Sequence, residues 1–207
     1  MSKIEKRFGL LGKNISYSLS KKYFTEKFDT LGLHHFEYVN YDLDKIEDFN
    51  RKVLKDLGFL GGLNVTIPYK QSIMEYLDEI DQEAMSIGAV NTIKILDDNR
   101  LKGYNTDAYG FETSLTSCWR GNERGALILG TGGASKAIAH VCKKLGISFL
   151  FVSRSNNSEG MINYKDLSKD ILMEHEMIIN CSPLGTFPEV EAKPDIPYEF
   201  LTDRHLL

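Results

Sequence analysis

The run Ala126-Leu127-Ile128-Leu129, leading into Gly130-Thr131-Gly132-Gly133-Ala134-Ser135, constrains this chain more than any other feature. Four apolar residues read as a buried strand, a glycine-rich turn follows, and Ala134 to Leu145 carries a helical pattern. Glycines let the backbone approach a ligand where side chains would block it. The helix N-terminus adds unpaired N–H groups and the positive end of a dipole. A strand, glycine turn and helix in this order suit the pyrophosphate of a dinucleotide; the plainer alternative is a tight turn. A second strand is expected from Ser148 to Val152 and a third from Met177 to Asn180. The second runs out at Ser153-Arg154-Ser155, where an NAD-binding unit usually offers an acid to the ribose 2′-hydroxyl. A guanidinium suits a 2′-phosphate instead, by charge and by bidentate geometry, which favours NADP over NAD; the alternative is that Arg154 is a solvated surface residue.

Upstream, strand and helix patterns alternate, which predicts an α/β domain. Strands are expected at Arg7–Gly12, His35–Tyr41, Gly62–Ile67, Ala89–Ile95 and Leu101–Tyr104, the last two joined by a turn at Asp97-Asp98-Asn99. Helical spacing marks Ser20–Leu31 through Phe24, Phe28 and Leu31, and again Ile46, Phe49, Val53 and Leu57. Short helices are expected at Tyr69–Leu77 and Gln82–Ile87. The polar stretch Arg120-Gly121-Asn122-Glu123-Arg124-Gly125 reads as a boundary. The expected organisation is therefore residues 1–107, a connecting helix and linker over 108–124, and the dinucleotide unit over 125–207.

Four polar clusters stand in the first part: Ser16-Tyr17-Ser18-Leu19-Ser20, Asn64 to Lys70, Ala89-Val90-Asn91-Thr92 and Asn105-Thr106-Asp107. Singly, each reads as a cap or turn; Ser20 and Asp107 could each cap the helix that follows. Together with Gly130-x-Gly132-Gly133-Ala134 and Asn180-Cys181-Ser182-Pro183-Leu184-Gly185, they form an ordered string from Gly9 to Gly185 that closely resembles the shikimate dehydrogenase family.

The resemblance implies an N-terminal α/β substrate-binding domain, a Rossmann-type NADP-binding domain, and a cleft between them. It implies reversible NADPH-dependent reduction of 3-dehydroshikimate to shikimate, in aromatic amino acid (chorismate) biosynthesis. By analogy Ser18 and Ser20 hold the substrate carboxylate, Thr66, Asn91 and Asp107 the ring hydroxyls, and Lys70 is the catalytic base, with Asp107 beside it in the chemistry. Gly130, Gly132, Gly133 and Ala134 meet the pyrophosphate, and Ser153, Arg154 and Ser155 the adenosine 2′-phosphate. Asn180, Pro183 and Leu184 lie toward the nicotinamide. A hydroxyl-rich site matches a polyhydroxylated substrate, because a site built to pair a hydroxyl rejects analogues lacking it.

The chain departs from the family pattern at Tyr17, often His, and Lys21, often Pro. It also stops at Asp203-Arg204-His205-Leu206-Leu207, where a further strand is expected to begin, so the nucleotide domain is expected to be truncated. Three other readings stand beside this one. A quinate/shikimate dehydrogenase using NAD would differ in cofactor and substrate. A non-catalytic ligand-binding relative would lack turnover. A methylene-tetrahydrofolate dehydrogenase would explain the glycine loop but not the serine pair or Asn105-Thr106-Asp107.

Composition narrows the partners. Net charge is -4 with no basic stripe, which argues against nucleic acid. No apolar run approaches the roughly 20 residues of a membrane helix, and the N-terminus lacks a signal-peptide core. Cys118, Cys142 and Cys181 have no metal or redox spacing, so no metal is expected and reduced thiols in the cytoplasm are. The expected partner is the small-molecule substrate, and the expected state a monomer or homodimer.

Overall fold

A computed structural model describes residues 4–119, 121, 124–154 and 159–207. The chain divides into two compact units, Met1–Thr106 and Asp107–Leu207. Of the polar stretch read as a boundary, Arg120, Asn122 and Glu123 lie outside the described residues.

The first unit is built on β1 (Lys6–Gly12), β2 (Phe36–Asp42), β3 (Leu60–Val65), β4 (Glu79–Ile80), β5 (Thr92–Ile95) and β6 (Leu101–Tyr104), with α1 (Ser20–Thr30) between β1 and β2. These strands form one mixed sheet in the order β2-β1-β3-β5-β6-β4. β1 lies parallel to both β2 and β3, while β3–β5 and β5–β6 are antiparallel. The expected turn after β5 is present: Leu96 N–H donates to Arg100 C=O at 2.9 Å, and Asn99 takes φ 66°.

Alternation along the strands sends apolar residues to both faces. On one face Phe8, Leu10 and Tyr38 pack under α1 through Phe24 and Phe28. On the other, Leu11, Tyr41, Leu63 and Val65 join Phe49, Tyr69, Ile73, Ala84 and Val90 in the main core.

Some expected helices are shorter or tighter than the periodicity indicates. Ile46 to Leu57 breaks into a 3-10 turn at Ile46–Asp48, α2 (Phe49–Lys52) and a second 3-10 turn at Leu54–Asp56. Its apolar residues still face the core, but no cap supports a longer helix. Tyr69–Leu77 contains a 3-10 helix only, Ser72–Tyr76, whereas Gln82–Ile87 is an α-helix (α3), ended by Gly88 in the left-handed region. The strand expected from Ala89 begins only at Thr92.

The second unit opens with α4 (Asp107–Cys118) and continues through β7 (Ala126–Leu129), α5 (Gly133–Leu145), β8 (Phe149–Ser153), β9 (Met161–Asn163), α6 (Lys169–Glu174) and β10 (Met177–Asn180). Its sheet runs β10-β7-β8-β9, with every pairing parallel. β7 is buried along its whole length because both faces are covered. Ala126 and Ile128 meet Leu115 of α4 and Ile138 and Cys142 of α5; Leu127 and Leu129 meet Leu172 of α6 and Ile196. The sequence makes three strands legible; the structure adds β9 and, at the free edge of β10, a parallel bridge from Met177 to Leu206.

Candidate active site

In the first unit, the polar clusters converge where β3 ends. Val65 N–H donates to Asn91 C=O at 2.7 Å and Val90 N–H donates to Lys70 C=O at 2.7 Å, tying the Asn64–Lys70 segment to the segment before β5. Asn91 is buried, and Thr92 and Thr106 hold its side chain. Its carbonyl accepts from Thr106 N–H at 2.9 Å and from the Thr92 hydroxyl at 3.0 Å, and its amide donates to Thr106 Oγ1 at 3.0 Å. Asn105 is anchored likewise, donating to Ala89 C=O at 2.9 Å. Thr66 N–H donates to Leu11 C=O at 2.8 Å, which fixes the start of the segment ending at Lys70. Lys70 and Thr66 are both partly buried.

The serine pair sits at the start of α1. Ser18 Oγ accepts from Ser20 N–H at 3.3 Å and lies 3.2 Å from Ser20 Oγ. Ser20 is not the cap of the helix. The cap position is Leu19, without a side-chain hydrogen bond, and Ser20 is already the first helical residue. The two hydroxyls lie beside one another, with Ser18 Oγ also accepting the N–H of the first helical residue.

Tyr38 joins these parts, and sequence reasoning missed it. It is 4% exposed, stacks on Phe24 of α1 at 4.6 Å between centroids, and donates through its hydroxyl to Asn64 Oδ1 at 2.9 Å. Burial pushes its phenol up to about 12, against a hydrogen bond with Ser20 that pulls the other way. One buried ring therefore touches both the helix that begins at Ser20 and the strand that leads to Lys70. An open depression of about 400 Å³ nearby is lined by Lys21, Lys22, Asn40 and others, and shares only Ser18 with this cluster of candidate residues.

In the second unit, the described candidates other than Asp107 lie at the carboxyl ends of adjacent parallel strands. Gly130 follows β7 with φ 116°, and a Cβ there would stand 3.3 Å from Cys181 C=O, in the turn after β10. Gly132 is the cap of α5, with no side-chain cap, and a Cβ there would meet no heavy atom within 4 Å. Gly133 and Ala134 open the helix, and their N–H groups belong to the first turn, which has no helical carbonyl to bond. Ser135 is fully buried below them, and its hydroxyl has no hydrogen-bond partner among the described residues.

Asn180 organises the turn after β10: its side-chain carbonyl accepts from Ser182 N–H at 3.0 Å and its amide donates to Leu184 C=O at 3.1 Å. Pro183 and Leu184 are exposed on this turn. Ser153 is buried at the end of β8, and Arg154, next in the chain, is exposed. Ser155 lies outside the described residues. β7 has β8 on one side and β10 on the other, so the chain reverses direction across the sheet there. The crevice at such a switch point is where open parallel sheets bind ligands. An uncapped helix N-terminus, an open glycine and an exposed cation fit a dinucleotide phosphate site. Asp107 opens α4 directly after Thr106.

Residues 10–93 match the shikimate dehydrogenase substrate binding domain. A shikimate dehydrogenase (NADP(+)) of Clostridium beijerinckii is 40% identical over 200 residues, covering 90% of this chain and 71% of the relative. The chain belongs to the shikimate dehydrogenase family. Shikimate dehydrogenase 1 of Peptoclostridium difficile matches in structure with a TM-score of 0.77 and 37% identity, covering 91% of this chain and 71% of that one. A shikimate 5-dehydrogenase of Thermus thermophilus, solved in complex with NADP(H) and shikimate, matches with a TM-score of 0.77 and 28% identity, covering 95% and 75%. Family membership accounts for the α/β architecture, with its mixed sheet and its parallel Rossmann-like sheet. No helix among the described residues is long and apolar enough to cross a membrane.

Proposed function

We propose that this chain interconverts 3-dehydroshikimate and shikimate with NADP(H), within aromatic amino acid biosynthesis; its relatives are named shikimate dehydrogenase, the curated one with NADP(+). The observation that supports the site assignment is the tie between the Asn64–Lys70 segment and Asn91, with Tyr38 bonding Asn64 and stacking on Phe24 of the helix that begins at Ser20.

In this reading the Ser18 and Ser20 hydroxyls donate to the substrate carboxylate. Thr66 and Asn91 hold ring hydroxyls, and the Asp107 carboxylate accepts from another. Asn91 is suited to this because its own backbone and side-chain bonds leave it a single orientation. NADP⁺, when bound, supplies the hydride acceptor. On oxidation, the proton of the reacting hydroxyl passes to the Lys70 amine; on reduction, the Lys70 ammonium returns it to the carbonyl oxygen. The α5 N-terminus at Gly132, Gly133 and Ala134 receives the pyrophosphate, with Gly130 shaping the turn that leads to it. Ser153, Arg154 and Ser155 serve the 2′-phosphate end, and Asn180, Pro183 and Leu184 the nicotinamide end. Three free cysteines support a reducing, cytoplasmic setting.

Lys70→Ala tests the assignment. Loss of a general acid–base group should lower kcat by about 10²- to 10⁴-fold while leaving NADP⁺ affinity nearly unchanged. Turnover near the wild-type rate would refute the role of Lys70.

A further inference from the structure

Arg154 stands one residue beyond β8, and its carbonyl accepts a hydrogen bond from the Asn163 side-chain amide at 3.0 Å. Asn163 is the last residue of β9 and the register partner of Ser153. Its side-chain oxygen is committed too, accepting from Lys165 N–H at 3.2 Å and so capping the 3-10 turn Tyr164–Asp166. With both ends of its amide occupied, Asn163 has one orientation, and through it the backbone at Arg154 is fastened to the sheet edge. The charge of Arg154 is felt on that same turn: burial pushes the Tyr164 phenol up, and the nearby guanidinium opposes it.

A guanidinium on a fastened backbone loses less freedom when it grips a dianion than one on a loose backbone. We propose that Asn163 is a positioning residue for cofactor discrimination: by holding the Arg154 carbonyl, it presents the guanidinium to the 2′-phosphate of NADP. This rests on Arg154 being the 2′-phosphate ligand. β9 is thus more than a sheet edge, since it carries the side chain that holds the Arg154 carbonyl beyond β8.

The test compares kcat/KM for NADP⁺ and NAD⁺, with shikimate, in the full chain and its variants. Asn163→Ser keeps a short side-chain acceptor for Lys165 N–H but lacks the reach to Arg154 C=O. It should lower the NADP⁺/NAD⁺ ratio about three- to tenfold, the equivalent of one lost hydrogen bond, through KM for NADP⁺ alone. In an Arg154→Ala background, Asn163→Ser should change the ratio no further. An unchanged ratio, or equal rises in KM for both cofactors, overturns the proposal while leaving Arg154 in place. An Arg154→Ala chain that keeps the wild-type preference overturns the 2′-phosphate reading and the proposal with it. If Asn163→Ser melts below the assay temperature, Asn163→Gln, which retains the amide but shifts it by one methylene, is held to the same criteria.

Discussion

Two glycines in the same loop should fail in different ways when given a methyl group. Gly130 has φ 116°, a region L-residues rarely adopt, and a Cβ there would press on Cys181 C=O at 3.3 Å, tighter than ordinary contact. Ser135 Oγ at 3.5 Å closes the other side. Gly130→Ala must therefore either carry the strain, about 1–3 kcal/mol, or shift the turn out of register with β10. For a domain of this size each kcal/mol lowers the melting temperature by roughly 4–8 °C. Gly132 differs: φ -80° and ψ -172° suit any residue, and nothing lies within 4 Å of its would-be Cβ. Gly132→Ala should cost under about 1 kcal/mol, the loss of a glycine cap. If the pyrophosphate occupies the open space beside Gly132, the same methyl should weaken NADP⁺ binding by tenfold or more, about 1.4 kcal/mol. Thermal unfolding and calorimetric titration of each variant read these effects separately. A Gly132→Ala chain that binds NADP⁺ like wild type would refute the close approach, and a Gly130→Ala chain with unchanged melting would refute the strain argument.

Two further outcomes follow from the first unit. Tyr38→Phe keeps the stack on Phe24 but leaves Asn64 Oδ1 without the Tyr38 donor; it should cost about 1–3 kcal/mol and raise KM for shikimate more than KM for NADP⁺, and unchanged values for both would remove Tyr38 from the site. Burial pushes the Asp56 carboxyl up, but hydrogen bonds from Arg7 and Tyr41 and the charge of Arg7 outweigh it, so its folded value lies below the ordinary one. Its contribution is present above the ordinary aspartate range and lost as pH falls through the folded value. Asp56→Asn should therefore flatten the acid limb of stability against pH, and an unaltered limb would show that the pair contributes nothing.

The second unit was the more legible because its signals are local. β7, the glycine turn and α5 follow one another without interruption, and four consecutive buried residues declare a strand covered on both faces. β9 escaped notice because three half-buried residues have no period to detect. The Ile46–Leu57 pattern names the right core residues but not their backbone, since 3-10 and α turns bury nearly the same face over so short a span. Among the candidate site residues, Ser18, Ser20, Lys70 and Asn91 stand out as motif residues. Tyr38 did not, because its meaning depends on β1 lying between β2 and β3, a pairing between segments far apart in sequence. Asn163 was hidden for the same reason: its partner, Arg154, is a neighbour only once β9 pairs with β8.

The central claim is most directly tested by mixing the purified chain with shikimate and NADP⁺ and following NADPH absorbance. The account predicts reduction of NADP⁺ that depends on shikimate and saturates with it, faster with NADP⁺ than with NAD⁺. Binding of both ligands by calorimetry with no NADPH formed would contradict it, and would leave a chain that binds shikimate without oxidising it.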